Sequence, residues 1–149
     1  MSDCIFCKIL AWEIPSTKIR EDEKHIAILD IFPNCKWQAL LIPKKHFDSD
    51  AFDMPTDDYL ALMESAKTVA KRLEKGLKVQ RVAMVMEWMW VNHVHIKLYP
   101  LHGLDEKFTE MRAPEKVRFD RYEWYVTTQI WNQADFWELA KIAEEIKKA

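Results

Sequence analysis

The sequence predicts an α+β fold built on an antiparallel sheet. Three observations lead there. Short apolar runs end at Pro-containing turns and read as strands; two longer segments repeat their apolar residues at helical spacing; and the connections within each strand pair are too short for the crossovers that parallel strands need.

Taken in order, Lys8 to Trp12 forms a short helical turn, and Glu13-Ile14-Pro15 forces an extended exit, because a residue before proline is pushed out of the α region. His25 to Asp30 reads as a buried strand ended by the Pro33-Asn34 turn, and Gln38 to Ile42 as a second ended by Pro43. From Thr56 to Lys78, Tyr59, Leu60, Leu62, Met63, Ala66, Val69, Ala70 and Leu73 recur at helical spacing. The segment is expected to be an amphipathic helix capped by Thr56 and closed by Gly76. Val79 to Glu87 and Val91 to Tyr99 then read as two strands in succession, and Ala134 to Lys148 as a terminal amphipathic helix. There is no repeat, low-complexity tract or Gly/Ser linker, so residues 1–149 are expected to form a single domain.

Composition narrows the function. With 22 Lys plus Arg against 24 Asp plus Glu, the net charge of −2 gives no global attraction to nucleic acid or anionic lipid, so neither is expected as a partner. The 49% hydrophobic and 31% charged residues exclude disorder and rod-like architectures. No apolar run approaches the roughly 18–20 residues of a membrane span, and MSDCIFCKIL lacks a charged segment followed by a long apolar stretch, so a cytoplasmic protein is expected. Three cysteines without a signal argue against a disulfide framework and for metal or thiol chemistry. Cys4 and Cys7 form a Cys-x-x-Cys, while Cys35 reads as a small apolar residue.

Val91-Asn-His-Val-His-Ile-Lys-Leu-Tyr-Pro100 is the informative segment, because a strand sends alternate side chains to opposite faces. His93, His95, Lys97 and Tyr99 fall on one face and Val94, Ile96 and Leu98 on the other. A row of ionisable groups about 7 Å apart is costly unless it meets an anion or a metal.

This segment resembles the signature of the histidine-triad (HIT) family, His-φ-His-φ-His-φ-φ with φ apolar, except that Lys97 stands at the third histidine. The resemblance extends to Cys4-Ile-Phe-Cys-Lys-Ile, Glu13-Ile-Pro-Ser, Glu21-Asp-Glu, Leu29-Asp-Ile and Leu41-Ile-Pro-Lys-Lys-His46, all in family order, and covers about the first hundred residues. It implies a HIT-like fold with a five-stranded antiparallel sheet and two main helices, the sheet extended across a homodimer. It also implies a hydrolase or nucleotidyl transferase acting at the α-phosphate of a purine nucleoside phosphoramidate or dinucleoside polyphosphate. His95 would be the nucleophile, forming a covalent nucleotidyl-histidine, and Lys97 would supply a point charge in place of the third histidine, at the expense of easy proton donation to the leaving group. By the same resemblance Ile5, Phe6, Ile9 and Ile28 would surround the base and Asp30 would hold the ribose; ordinary core is the competing reading for the four apolar residues. Cys4, Cys7, His46 and His93 match the ligands of the family's zinc-containing members, a closed tetrahedral set suited to structural Zn²⁺; a redox Cys-x-x-Cys lacks the thioredoxin-like context. His102 reads as a loop residue, and His25 as a strand-edge histidine.

One imbalance remains. Average usage of about 7% would give roughly ten glycines, yet only Gly76 and Gly103 occur beside seven tryptophans. Trp12, Trp37 and Trp88 fall where similar HIT sequences commonly carry glycine, and Trp90, Trp124 and Trp131 stand in turn-like settings. Trp88 and Trp90 lie beside the expected phosphate site among the nucleotide-contacting positions, where two indoles would crowd it, so the alternative to an active enzyme is a weak or inactive nucleotide-binding zinc module. The expectation is that these tryptophans replace glycines, through a misread reassigned stop codon or by substitution; the competing reading is a natural variant with relocated turns.

Overall fold

The computed structural model describes residues 3–87, 89–110, 112–123, 125–128 and 132–148. The chain gathers into two compact units, Met1–Phe108 and Thr109–Ala149.

The first unit is a five-stranded antiparallel sheet. Its strands are β1 (Lys18–Glu21), β2 (His25–Leu29), β3 (Ala39–Pro43), β4 (Val82–Val85) and β5 (Ile96–Pro100), in the spatial order β1-β2-β3-β5-β4. Helix α1 (Ile5–Leu10) precedes β1 and helix α2 (Thr56–Leu77) links β3 to β4. β1 is the strand that periodicity misses. Its Lys-Ile-Arg-Glu carries almost no apolar pattern, because it is a short edge strand with a register shift between Lys18 and Arg20.

Alternation along the inner strands divides the core between the two faces of the sheet. Ala27, Ala39, Leu41, Ile96 and Leu98 pack with Leu62, Ala66, Val69 and Leu73 of α2 on one face. Ile26, Ile28, Leu40 and Ile42 pack with Phe6 and Ile9 of α1 on the other.

The boundaries of α2 differ from those expected. Pro55 takes the N-cap position and makes no side-chain cap, Thr56 is the first helical residue, and Asp57 and Asp58 supply negative charge to the first turn. Gly76 lies inside the helix. The helix ends at Lys78, in the left-handed region at φ 54°, with the Val79 amide donating to the Glu74 carbonyl at 3.1 Å, as in a Schellman ending.

The strand expected over Val91 to Tyr99 starts only at Ile96. Residues before it are tied elsewhere: the Val94 amide donates to the Phe47 carbonyl at 3.0 Å, and the Asn92 side chain accepts from the Ser49 amide at 2.8 Å and donates to Asp48 at 2.9 Å. The segment carrying the two histidines is thus docked on residues 47–49 rather than paired in the sheet.

Two tryptophans have left-handed backbones, Trp12 at φ 63° and Trp37 at φ 65°. Trp88, Trp124 and Trp131 lie outside the described residues.

In the second unit, α3 (Phe136–Ile146) starts from Asp135, whose carboxylate accepts from the amides of Trp137 and Glu138. No described helix is long and apolar enough to cross a membrane.

Candidate functional site

Helix α1 and the segment entering β5 meet on the sheet face away from α2. Phe6 is the contact: its ring lies edge-on to His93 at 5.8 Å and to His95 at 5.0 Å between centroids. Both histidines are buried, His93 completely.

A carbonyl oxygen can only accept, so the backbone partners of the two histidines decide where each proton sits. His95 places Nδ1 at 2.8 Å from its neighbour His93's carbonyl; Nδ1 therefore donates and the ring's lone pair is on Nε2. His93 places Nε2 at 2.9 Å from the Pro43 carbonyl, so its lone pair is on Nδ1. That atom faces the two cysteines, at 3.4 Å from Cys4 Sγ and 3.7 Å from Cys7 Sγ. His46 Nδ1 is 3.3 Å from Cys7 Sγ. One donor atom from each of Cys4, Cys7, His46 and His93 lies within 4.8 Å of the others.

These separations suit a tetrahedral ion with metal–sulfur bonds of about 2.3 Å and metal–nitrogen bonds of about 2.0 Å, whose ligand atoms would stand about 3.5 Å apart. Four protein donors fill such a shell, and the Pro43 carbonyl supplies the outer hydrogen bond that orients a ligating imidazole. Burial pushes His93 down to about 4, so it is neutral near pH 7, the form a metal requires. Burial likewise lowers His95, against the upward pull of the His93 carbonyl.

Lys97 follows on the same side of β5. Its ammonium pairs with Glu87 at 3.0 Å, with the two side chains 18% and 6% exposed. Asp30, at the end of β2, accepts from the Phe32 amide at 2.9 Å and from Gln38 Nε2 at 2.6 Å, and its charge reaches His95. Of the apolar positions expected around a base, Phe6, Ile9 and Ile28 are buried in the α1-side core, whereas Ile5 is 44% exposed. Trp90 is 75% exposed, and Trp88 lies outside the described residues. His102 Nε2 donates to the Lys36 carbonyl at 2.8 Å in a loop, and His25 is buried beside Asp22 at 3.1 Å.

Sequence reasoning misses two participants. Glu87 has one available signal, an acidic residue at the end of an apolar strand; the Pro43 carbonyl has none, being backbone.

Comparison with known proteins agrees with this architecture. The chain is 39% identical over 109 residues to the adenosine 5′-monophosphoramidase HNT1 of Saccharomyces cerevisiae, covering 70% of this chain and 65% of that protein. Among solved structures, SMU.412c of Streptococcus mutans UA159 superposes with a TM-score of 0.73 at 31% identity, over 99% of this chain and 85% of that one. A Zn-bound histidine triad family protein from Mycobacterium smegmatis gives 0.62 at 28% identity, over 76% and 84%. The HIT domain sequence model matches residues 11–103, the span that runs from the end of α1 through the two histidines to the close of β5, and by that match the chain belongs to the HIT family.

Proposed function

We propose that the chain is a nucleotide phosphohydrolase or nucleotidyl transferase acting at the α-phosphate of a purine nucleoside phosphoramidate or dinucleoside polyphosphate. The observation that carries this reading is the buried His95 whose Nδ1 proton is committed to the His93 carbonyl. An imidazole held in that tautomer presents Nε2 as a nucleophile near pH 7, and the carbonyl stabilises the charge that develops on the ring when Nε2 bonds to phosphorus. The α-phosphorus would pass to Nε2 as the leaving group departs with the electron pair, and water or another acceptor would then take the nucleotidyl group. Lys97 adds positive charge beside the phosphoryl oxygens, and Asp30 offers acceptors for ribose hydroxyls, with Ile5, Phe6, Ile9, Ile28, Trp88 and Trp90 as base-side or phosphate-side contacts. The yeast relative's named activity on an adenosine phosphoramidate supports the substrate class.

The ion held by Cys4, Cys7, His46 and His93 would be Zn²⁺, supported by the donor set and by the Zn-bound mycobacterial neighbour. With four protein ligands it supplies a cross-link and leaves no position for a substrate. β1 and β4 are the edge strands of the sheet, and pairing as a homodimer would extend the sheet from one of them, a point that light scattering of the purified chain decides. A cytoplasmic site of action completes the reading.

The test is intact mass spectrometry after incubation with an adenosine phosphoramidate. An adenylyl adduct or AMP release, lost in His95→Ala, is the expected result; neither product from folded wild-type protein rejects the reading. Stoichiometric nucleotide binding without turnover would instead fit an inactive zinc module, for which Lys97 at the third histidine is the supporting observation.

A further inference from the structure

The mechanism above leaves the 3.0 Å pair of Lys97 and Glu87 unexplained. In the antiparallel ladder Val85 faces Lys97. Glu87 lies two residues beyond, where β4 has ended; its carboxylate reaches the Lys97 ammonium at 3.0 Å, and its charge is felt at His95. A lysine ammonium is a point charge on a flexible four-carbon stem, and its direction is set by what holds it. Here the holder is nearly fully buried, at 6% side-chain exposure, so water screens the pair little. Keeping a charged pair this far from water is costly and is weak as a means of stabilisation.

We propose that Glu87 is a positioning residue: it holds the Lys97 ammonium on the His95 side of the sheet, where it meets the phosphoryl oxygens. Glu87 itself does not touch substrate. The inference rests on the nucleotidyl-transfer reading, and the experiment separates the two. Wild type, Glu87→Gln, Lys97→Gln and the double variant are assayed by adenosine phosphoramidate turnover and thermal unfolding. Glu87→Gln keeps the side-chain volume and an acceptor but removes the charge. Expected is a fall in kcat of roughly tenfold or more in Glu87→Gln, with KM changed less than about twofold, since misplacing a reacting group by about 1 Å costs up to a hundredfold. Lys97→Gln should lose at least as much, and the double variant no more than Lys97→Gln alone, because the two act as one unit. A wild-type kcat in Glu87→Gln, or losses that multiply in the double variant, overturns the positioning role while leaving His95 chemistry intact. A fall confined to unfolding temperature shows a structural pair only. Wild-type protein that makes neither adduct nor AMP overturns both.

A separate observation bears on the tryptophans. At the end of α1 the Glu13 amide donates to the Lys8 carbonyl at 2.9 Å, so Trp12, at φ 63°, sits where a Schellman ending takes glycine. At Trp37 the Gln38 amide donates to the Cys35 carbonyl at 3.2 Å, closing a four-residue turn whose third residue has φ 65°. A turn with φ > 0 at that position calls for glycine. A bulky residue in this region is a genuine outlier, and two in one chain with two glycines and seven tryptophans share one explanation. The geometry points to a natural polypeptide with glycine at Trp12 and Trp37, through one codon decoded as glycine in its source and as tryptophan here. Sequencing the gene and mapping peptides from source cells tests it. The expected result is TGA at both positions, with glycine in the native peptides; TGG codons or native tryptophan at 12 and 37 overturns it.

Discussion

The indole at position 12 is 71% exposed and that at 37 is 47% exposed, so neither gains much from burial to offset its backbone. Each lies under a lysine, Lys18 at 4.6 Å and Lys36 at 5.3 Å from the ring centroid, contacts worth about 0.5 kcal/mol at exposed sites. The left-handed conformation costs an L-residue about 1–2 kcal/mol, and glycine gives back about 0.5–1 kcal/mol through its freer unfolded chain. Trp12→Gly and Trp37→Gly should each stabilise the fold by about 0.5 kcal/mol, read as a higher urea midpoint at unchanged slope. Glu21 gives a pH prediction at the same scale. Hydrogen bonds from Lys18 and then Lys44 hold its carboxyl at about 2, below its ordinary 4.5. The folded value lies below the unfolded one, so this contribution is complete above about 4.5 and is lost as pH falls towards 2. Glu21→Gln should therefore flatten the acid side of the stability profile across that window and match wild type below it.

Among the elements, α2 shows how far local pattern reaches. Its apolar stripe places Leu62, Ala66, Val69 and Leu73 against the sheet as periodicity predicts, while both ends are set otherwise: Pro55 cannot continue a helix N-terminally without cost, and the Lys78 turn is decided by the Val79 bond to Glu74. Lys78→Gly should stabilise the helix end by about 0.5–1 kcal/mol, measured by thermal unfolding. Leu41 of β3 is completely buried under α2, and Leu41→Ala should cost about 2–5 kcal/mol by denaturant titration. The segment before β5 is the instructive miss. Alternation correctly assigns Val94, Ile96 and Leu98 to the α2 face, yet the strand begins later, because Asn92 and Val94 bond to residues 47–49.

For the first unit as a whole, the four candidate metal ligands Cys4, Cys7, His46 and His93 bring α1, the chain after β3 and the approach to β5 together in one corner. Cys4 and His93 are 89 residues apart and Cys7 and His46 are 39 apart. Metal held there closes long loops, and binding to the folded state alone stabilises it by mass action. Protein purified without added metal should carry close to one zinc per chain, and chelation should lower its unfolding temperature by several degrees. Cys4→Ser should bind less metal and respond less to the chelator.

By itself the sequence determined the α+β class, the inner strands, the amphipathic face of α2, and the row of His93, His95 and Lys97 opposite an apolar back face, because each follows from spacing along a few consecutive residues. The ordered motifs added the family and, through it, the candidate ligand set and nucleophile. Only the tertiary structure decided the tautomers of the two histidines, the Glu87 partner of Lys97 and the left-handed backbones at Trp12 and Trp37. Those depend on backbone carbonyls, strand register and turn closure, which the spacing of side chains along the chain does not record.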